Sequence, residues 1–317
     1  MKVLLIGEPM GLFMAEEPGP LSKSRRFISS IAGAEYNVAV GLARLGQTPV
    51  YCTRLGNDPI GQQILAAMAE NHIDTALVSR TDEQPTGLML KGSTQEGDPE
   101  IAYYRQGSAA SNLSPRDVDA LGLSGIDWLH VTGIFPAVSE SAMSATVRLL
   151  DRASAMDIPI SFDPNLRPQL WPDERTMVNS LNRLAAYAQV VLPGIGEGRI
   201  LTGHEREEDI AGFYHGLGAR SVVVKLGGDG AYYSEASGDK GYAPGIEVER
   251  IVDTVGAGDG FAVGVISAVT EGLPLSEAAR RGNAIGAIQI SHKSDNEGLP
   301  TREKLEAVLA AGKVGAQ

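Results

Sequence analysis

A single cysteine, Cys52, among 317 residues leaves no partner for an internal disulfide and fits a reducing compartment. The five histidines fall at no metal-ligand spacing, and with one cysteine a structural zinc site is not expected. Long hydrophobic runs are missing too. The first apolar run, residues 3–6, is too short for a signal peptide or a membrane span and reads as a buried strand. Positive charge is scarce: 27 Lys and Arg against 39 Asp and Glu give a formal net charge of −12. With no dense basic cluster, this argues against a nucleic-acid surface. An anionic substrate would then be held by a few placed cations rather than by a global field. Neither G-x-x-x-x-G-K-[ST] nor a G-x-G-x-x-G ahead of a lysine strand occurs, so any phosphate would need another cradle. The expectation is a soluble cytoplasmic protein with no nucleic-acid or membrane partner.

What is present is a core. An apolar fraction of 43% and a mean hydropathy of −0.05 describe a globular chain long enough for one large domain or two smaller ones. Short continuous apolar runs recur at residues 3–6, 49–52, 128–131, 159–162, 190–192 and 221–225. Helix-period stretches separate them, at 35–45, 59–71, 139–156 and 173–187, and the chain turns mostly helical over 258–271, 276–290 and 301–311. Continuous rather than alternating strands, each followed by a helix, predict a mostly parallel sheet covered on both faces. No linker, repeat or low-complexity tract marks a boundary, so a single domain over residues 1–317 is expected. Two segments break the alternation, about 11–31 and 86–106; both read as antiparallel excursions. Paired, they would form a small β lid over a ligand site, a decorative hairpin, or an edge that joins a second copy into a homo-oligomer.

The string Asp253-Thr254-Val255-Gly256-Ala257-Gly258-Asp259 opens an apolar, helix-spaced run. At a helix start, backbone N–H groups lack intrahelical acceptors, and the positive end of the dipole favours an anion. Gly256 and Gly258 would let a phosphate reach that backbone. A carboxylate there would repel a settled phosphate, so Asp259 needs another purpose: a base that takes a proton from an attacking hydroxyl. A bare G-x-G-D would read as a turn with an ordinary first-turn acid; the full string favours phosphoryl transfer.

Three further clusters sit where α/β sheets bind ligands, beyond strand ends. In the string from Ala32 to Gly46, Gly33 permits close backbone approach, and Asn37 either offers an amide to sugar hydroxyls or caps locally. In Asp163-Pro164-Asn165-Leu166-Arg167, alternate residues of an extended chain would face one way. Arg167 could then grip a carboxylate or phosphate, or Asp163 and Arg167 could pair to anchor the loop. The turn Lys225-Leu226-Gly227-Gly228-Asp229-Gly230 could lie against a nucleotide or be a plain glycine turn.

Together these motifs resemble the PfkB (ribokinase-like) carbohydrate kinase family over essentially the whole chain. The resemblance implies a three-layer α/β/α sandwich with a β-sheet lid, and ATP with Mg²⁺, and a monovalent cation as a further candidate. It implies Asp259 as base, the backbone of Gly256, Ala257 and Gly258 as anion hole, and Lys225, Gly227, Gly230 and Asn283 near the nucleotide. Within the family, Tyr103-Tyr104-Arg105-Gln106-Gly107-Ser108-Ala109-Ala110-Ser111 is similar to the lid segment of 2-keto-3-deoxygluconate kinases, as is Ser294-Asp295-Asn296-Glu297-Gly298-Leu299-Pro300 to their tail. This implies substrate contacts from Gly33, Asn37, Tyr103, Arg105, Arg167 and Asp295. Two arginines would suit an acid sugar better than a neutral hexose. A fructokinase or another ketose or aldonate kinase is the nearest alternative; a sugar-binding sensor that no longer transfers phosphate is the alternative of another class. Three departures stand out. Ala32 replaces the first of two glycines, Met89 stands for a frequent lid tyrosine, and the Asn-x-x-Glu motif reads Gly194-Ile195-Gly196-Glu197. Glu197 remains as a water-mediated Mg²⁺ contact.

Overall fold

The computed structural model describes residues 1–94, 99–293 and 295–315. The first strand, β1 (Lys2–Ile6), is followed by β2 (Met10–Ala15), β3 (Phe27–Ala32), α1 (Ala34–Arg44), β4 (Thr48–Gly56), α2 (Pro59–Glu70) and β5 (Val78–Thr81). The chain continues through β6 (Leu88–Lys91), β7 (Ile101–Tyr104), α3 (Pro115–Asp119), β8 (Trp128–Thr132), α4 (Glu140–Ala155), β9 (Ile160–Asp163), α5 (Glu174–Ala185) and β10 (Val190–Val191). It then forms α6 (Ile195–Thr202), α7 (Glu207–Gly216), β11 (Ser221–Lys225), β12 (Gly230–Glu235), β13 (Lys240–Pro244) and β14 (Glu247–Val248). The last elements are α8 (Ala257–Thr270), α9 (Leu275–Ile290), α10 (Arg302–Ala311) and β15 (Lys313–Val314).

Nine strands make one sheet in the order β13-β12-β11-β10-β9-β8-β1-β4-β5. All its pairings are parallel except β11–β12 and β12–β13. The continuous apolar runs have a plain cause: strands such as β1 are buried on both faces. One apolar cluster joins the sheet to α1, α2, α8, α9 and α10 on one side; a second joins it to α3, α4, α5, α6 and α7 on the other. The expected three-layer sandwich is therefore observed. Helix starts follow local chemistry: Asp58, Ser139, Asp173 and Thr301 each accept a backbone N–H of the first turn. Among the described residues no helix is long and apolar enough to cross a membrane.

The two irregular segments do pair, as a four-stranded sheet in the order β3-β2-β6-β7. Each hairpin is antiparallel, as the two excursions were read, and the central β2–β6 contact that joins them is parallel. Two hairpins that leave the core from the same edge meet with their inner strands running alike. Period-two alternation then divides the lid: Met89, Lys91, Ile101 and Tyr103 line a cleft, while Leu88, Leu90 and Tyr104 point the other way. The turn expected through Gly97 and Asp98 lies outside the described residues, as does Ser294 of the tail string.

Candidate active site

Between the lid, the carboxyl ends of the parallel strands and the start of α8 lies a cleft of about 560 Å³. Its floor is the string from Thr254 to Asp259. Gly256 ends the loop with φ 79°, in the left-handed region, and a Cβ there would stand 2.3 Å from the Asp295 carbonyl oxygen. Only glycine fits both constraints. Asp253 Oδ1 accepts the Val255 N–H at 3.0 Å, closing the turn. The N–H groups of Gly258 and Asp259 then begin α8 without helical acceptors. The nearest atom to a Cβ on Gly258 is Lys225 Nζ, at 3.9 Å, so backbone donors, helix dipole and an ammonium converge on one point. That point suits an anion.

Asp259 faces this cleft and is 9% exposed. Its Oδ2 accepts from Asn37 Nδ2 at 2.8 Å and its Oδ1 from Asn165 Nδ2 at 3.3 Å. Burial pushes its pKa up to about 7; the Asn37 hydrogen bond opposes the rise, Asp163 and Glu35 add to it, and Arg167 counters it. A carboxyl so placed exchanges a proton near neutrality, as a general base requires. Asn37 Oδ1 in turn accepts from Asn296 Nδ2 at 3.0 Å, which fixes the amide's orientation toward the acid. Gly33, with φ 143°, brings the start of α1 against the Glu8 carbonyl and lines the same cleft.

The reading of Asp163, Asn165 and Arg167 as one extended face needs correction. Asn165 has φ 40°, which turns the chain, so the three side chains part. Asp163 pairs with Lys225 at 2.8 Å rather than with Arg167. Burial works against the Lys225 charge, but Asp163 beside it holds the ammonium's pKa above its usual value. Arg167 donates to the Leu166 carbonyl and lines the cleft; among the described residues it has no carboxylate partner. Glu197 lines the cleft as well, with one oxygen on the Leu166 N–H at 2.8 Å and the other on the Gly194 N–H at 2.7 Å. Each oxygen accepts one backbone hydrogen bond and retains acceptor capacity, which suits a hydrated Mg²⁺. Among the described residues no group of three acids, histidines or cysteines could hold a metal directly.

At the lid end, Arg105 is already engaged. Its Nε lies 2.7 Å and its Nη2 2.5 Å from Glu8 Oε2, and its guanidinium stands 5.9 Å from the centre of the half-exposed Tyr103 ring. The other Glu8 oxygen takes the Ser108 hydroxyl. Glu8 was missed in the sequence, although it lies two residues beyond the first strand, where ligand-edge groups are sought. Glu35, inside the quoted Ala32–Gly46 string, was given no role; it is buried against Thr132 and its pKa is raised chiefly by that burial. Lys91 was also missed, at the end of a lid strand whose neighbours were read. It pairs with Asp253 at 3.0 Å and Asp295 at 3.4 Å, so Asp295 meets a lysine as well as the cleft.

Three expected nucleotide neighbours lie outside the cleft lining. The close backbone approach at Gly230 is to the chain itself: a Cβ would stand 2.2 Å from the Ala243 carbonyl oxygen. Asn283 spends its amide N–H groups on the Ala243 and Pro244 carbonyls, 3.0 Å each, tying α9 to β13. At Gly227 nothing lies within 4 Å of where a Cβ would be, so the space over this glycine is open.

Residues 2–302 match the family model described as pfkB family carbohydrate kinase. A 2-dehydro-3-deoxygluconokinase of Bacillus subtilis (strain 168) is 46% identical over 312 residues, covering 98% of this chain and 96% of that protein. Another protein of that name, from Thermoproteus tenax, is 30% identical over 314 residues, covering 98% and 95%. The crystal structure of a PfkB protein from Polaromonas sp. JS666 superposes with a TM-score of 0.89 at 45% identity, covering 96% of this chain and 99% of that one.

Proposed function

The chain belongs to the pfkB family of carbohydrate kinases, and from that premise we propose that it moves the γ-phosphoryl group of ATP to the primary hydroxyl of 2-keto-3-deoxygluconate, giving the 6-phosphate. The observation that carries the reading is Asp259, poised near neutrality beside unpaired N–H groups at the start of α8. The sugar hydroxyl sits between Asp259 and the γ-phosphorus. Asp259 accepts its proton as the new O–P bond forms and the bond to the β-phosphate oxygen breaks, leaving ADP. The N–H groups of Gly258 and Asp259, with Lys225, meet the charge that spreads over the phosphoryl oxygens. Asn37 and Asn165 keep the carboxylate turned to the hydroxyl. Glu197 would hold a hydrated Mg²⁺, which would supply further charge neutralisation.

Substrate class follows from the cations that line the cleft, Arg167 beyond β9 and Arg105 beyond β7. Arg167, which has no carboxylate partner among the described residues, grips the sugar carboxylate, while Arg105 is held by Glu8 and Tyr103 lines the cleft beside it. The Arg105–Glu8 pair also supports a second reading, a neutral ketose such as fructose, because it leaves one arginine rather than two for an acid. ATP consumption measured against acid and neutral sugars decides between them. Turnover on 2-keto-3-deoxygluconate far above fructose is expected, and the reverse order would assign the neutral ketose. No ATP consumption with any sugar would leave a binding protein.

The lid also suggests self-association. Leu88 and Leu90 are half-buried and Tyr104 is exposed on the face turned away from the cleft, an apolar strip that a second copy would cover. Sedimentation should give a homodimer or a multiple of it, and Leu90→Lys should give the monomer.

A further inference from the structure

Lys91 has no place in the transfer step just described, yet it is 6% exposed in a strand that otherwise presents apolar groups to the cleft. A lysine buried to that degree is costly unless its charge is answered. Its ammonium lies 3.0 Å from Asp253 Oδ2 and 3.4 Å from Asp295 Oδ1. These two acids bracket the anion loop. The second oxygen of Asp253 holds the Val255 N–H, and the backbone carbonyl of Asp295 backs Gly256 at a distance that only glycine tolerates. One ammonium on the lid therefore ties both flanks of the loop together, across 162 and 204 residues of sequence.

We propose that Lys91 is a positioning residue: the lid's built-in counter-ion for the anion loop, which fixes the loop's phosphate-receiving shape and makes that shape depend on a seated lid. Two consequences follow from charge alone. Without the ammonium, two carboxylates at close range would repel each other and draw the flanks of residues 254–258 apart. The corner would also turn more negative beside the site of an arriving phosphate, and at such distances in a partly desolvated cleft that repulsion is substantial. A lid lifted from the cleft removes the same charge, so the loop is completed only when the lid is down over substrate.

The inference rests on the anion-loop reading but not on the identity of the sugar, and its test separates the two. Lys91→Met keeps the volume and removes the charge. It should lower kcat/KM for ATP by about 100-fold, the scale of misplacing a reacting group, with a smaller change in KM for the sugar, and it should weaken binding of a non-hydrolysable ATP analogue. In Lys91→Ala, added ethylammonium should restore a large part of the lost turnover while leaving the wild type unchanged. A role in lid packing alone would show no such rescue. Should Lys91→Met fail to fold, Asp253→Asn keeps the lysine and removes its nearer partner, and it should show the same loss in turnover and analogue binding. Turnover and analogue affinity within twofold of wild type in the folded variant, or a loss that ethylammonium leaves untouched, overturns the proposal. If the wild type ignores 2-keto-3-deoxygluconate, the substrate reading fails, while analogue binding still decides the role of Lys91.

Discussion

At the α8 end of the cleft, the receiving groups come mostly from seven consecutive residues, Asp253 to Asp259, and most of them are backbone, with the Lys225 ammonium beside them. At the lid end, each polar contact joins distant stretches of chain: Arg105 to Glu8 across 97 residues, Lys91 to Asp253 across 162. The first kind of site is carried by local conformation, with Lys91 bracing its two flanks from outside. The second is carried by side-chain pairing and can be retuned one residue at a time. This is why one end suits the invariant part of the reaction, phosphoryl transfer, and the other suits the variable part, the choice of sugar.

The comparison can be broken most directly at the fixed end. Asp259→Asn keeps the shape and removes the base, so turnover should fall by roughly two to four orders of magnitude. Steady-state kinetics checks this, and near-normal turnover would take Asp259 out of the role. For the choice of sugar, Arg167→Ala should raise KM for 2-keto-3-deoxygluconate by about 10- to 100-fold, the value of a charge-assisted contact, while KM for fructose moves little. Arg105→Ala should also discriminate against the acid. It should in addition lower the melting temperature, because it strands the buried Glu8 carboxylate. Equal effects of either change on both sugars would undo the carboxylate assignment.

Smaller effects sharpen the contrast. Gly256→Ala must place a Cβ in left-handed backbone and against the Asp295 carbonyl. A cost of about 1–3 kcal/mol in stability and a fall in turnover without change in sugar KM are expected, measured by denaturant unfolding and kinetics. The smallest effect is in stability against pH. The folded protein holds a proton on Asp259 up to about pH 7, whereas the unfolded chain releases it in the ordinary carboxylate range. Wild type therefore loses stability as pH rises through that window, and the neutral amide does not. Asp259→Asn should melt a few degrees above wild type at pH 8 and lose that advantage below pH 4. A gain that persists in acid would point to packing instead.

The sequence was legible where structure is local. Runs of buried strand and helix fell within a few residues of their observed ends, because continuous apolar runs and 3.6-residue spacing record burial directly. The anion loop was legible because glycine spacing and helix start lie in one string. Asn165 was misread because a positive φ outside glycine leaves no mark in a short polar stretch. At Asn283 and Gly230 the contacts seen are to the chain's own backbone, because an amide and a glycine serve that backbone as readily as a nucleotide. Lys91 and Glu8 were invisible because their partners lie far away in sequence, and only the folded chain brings them together.

The account's central claim, a base at residue 259 tuned to neutrality by its burial, is tested most directly by kcat/KM for sugar as a function of pH. The protonated acid cannot take the hydroxyl proton, so the rate should be level above about pH 7 and fall close to tenfold per unit below it, with that descent abolished in Asp259→Asn. A wild-type profile that stays level from pH 8 to pH 5 would contradict it.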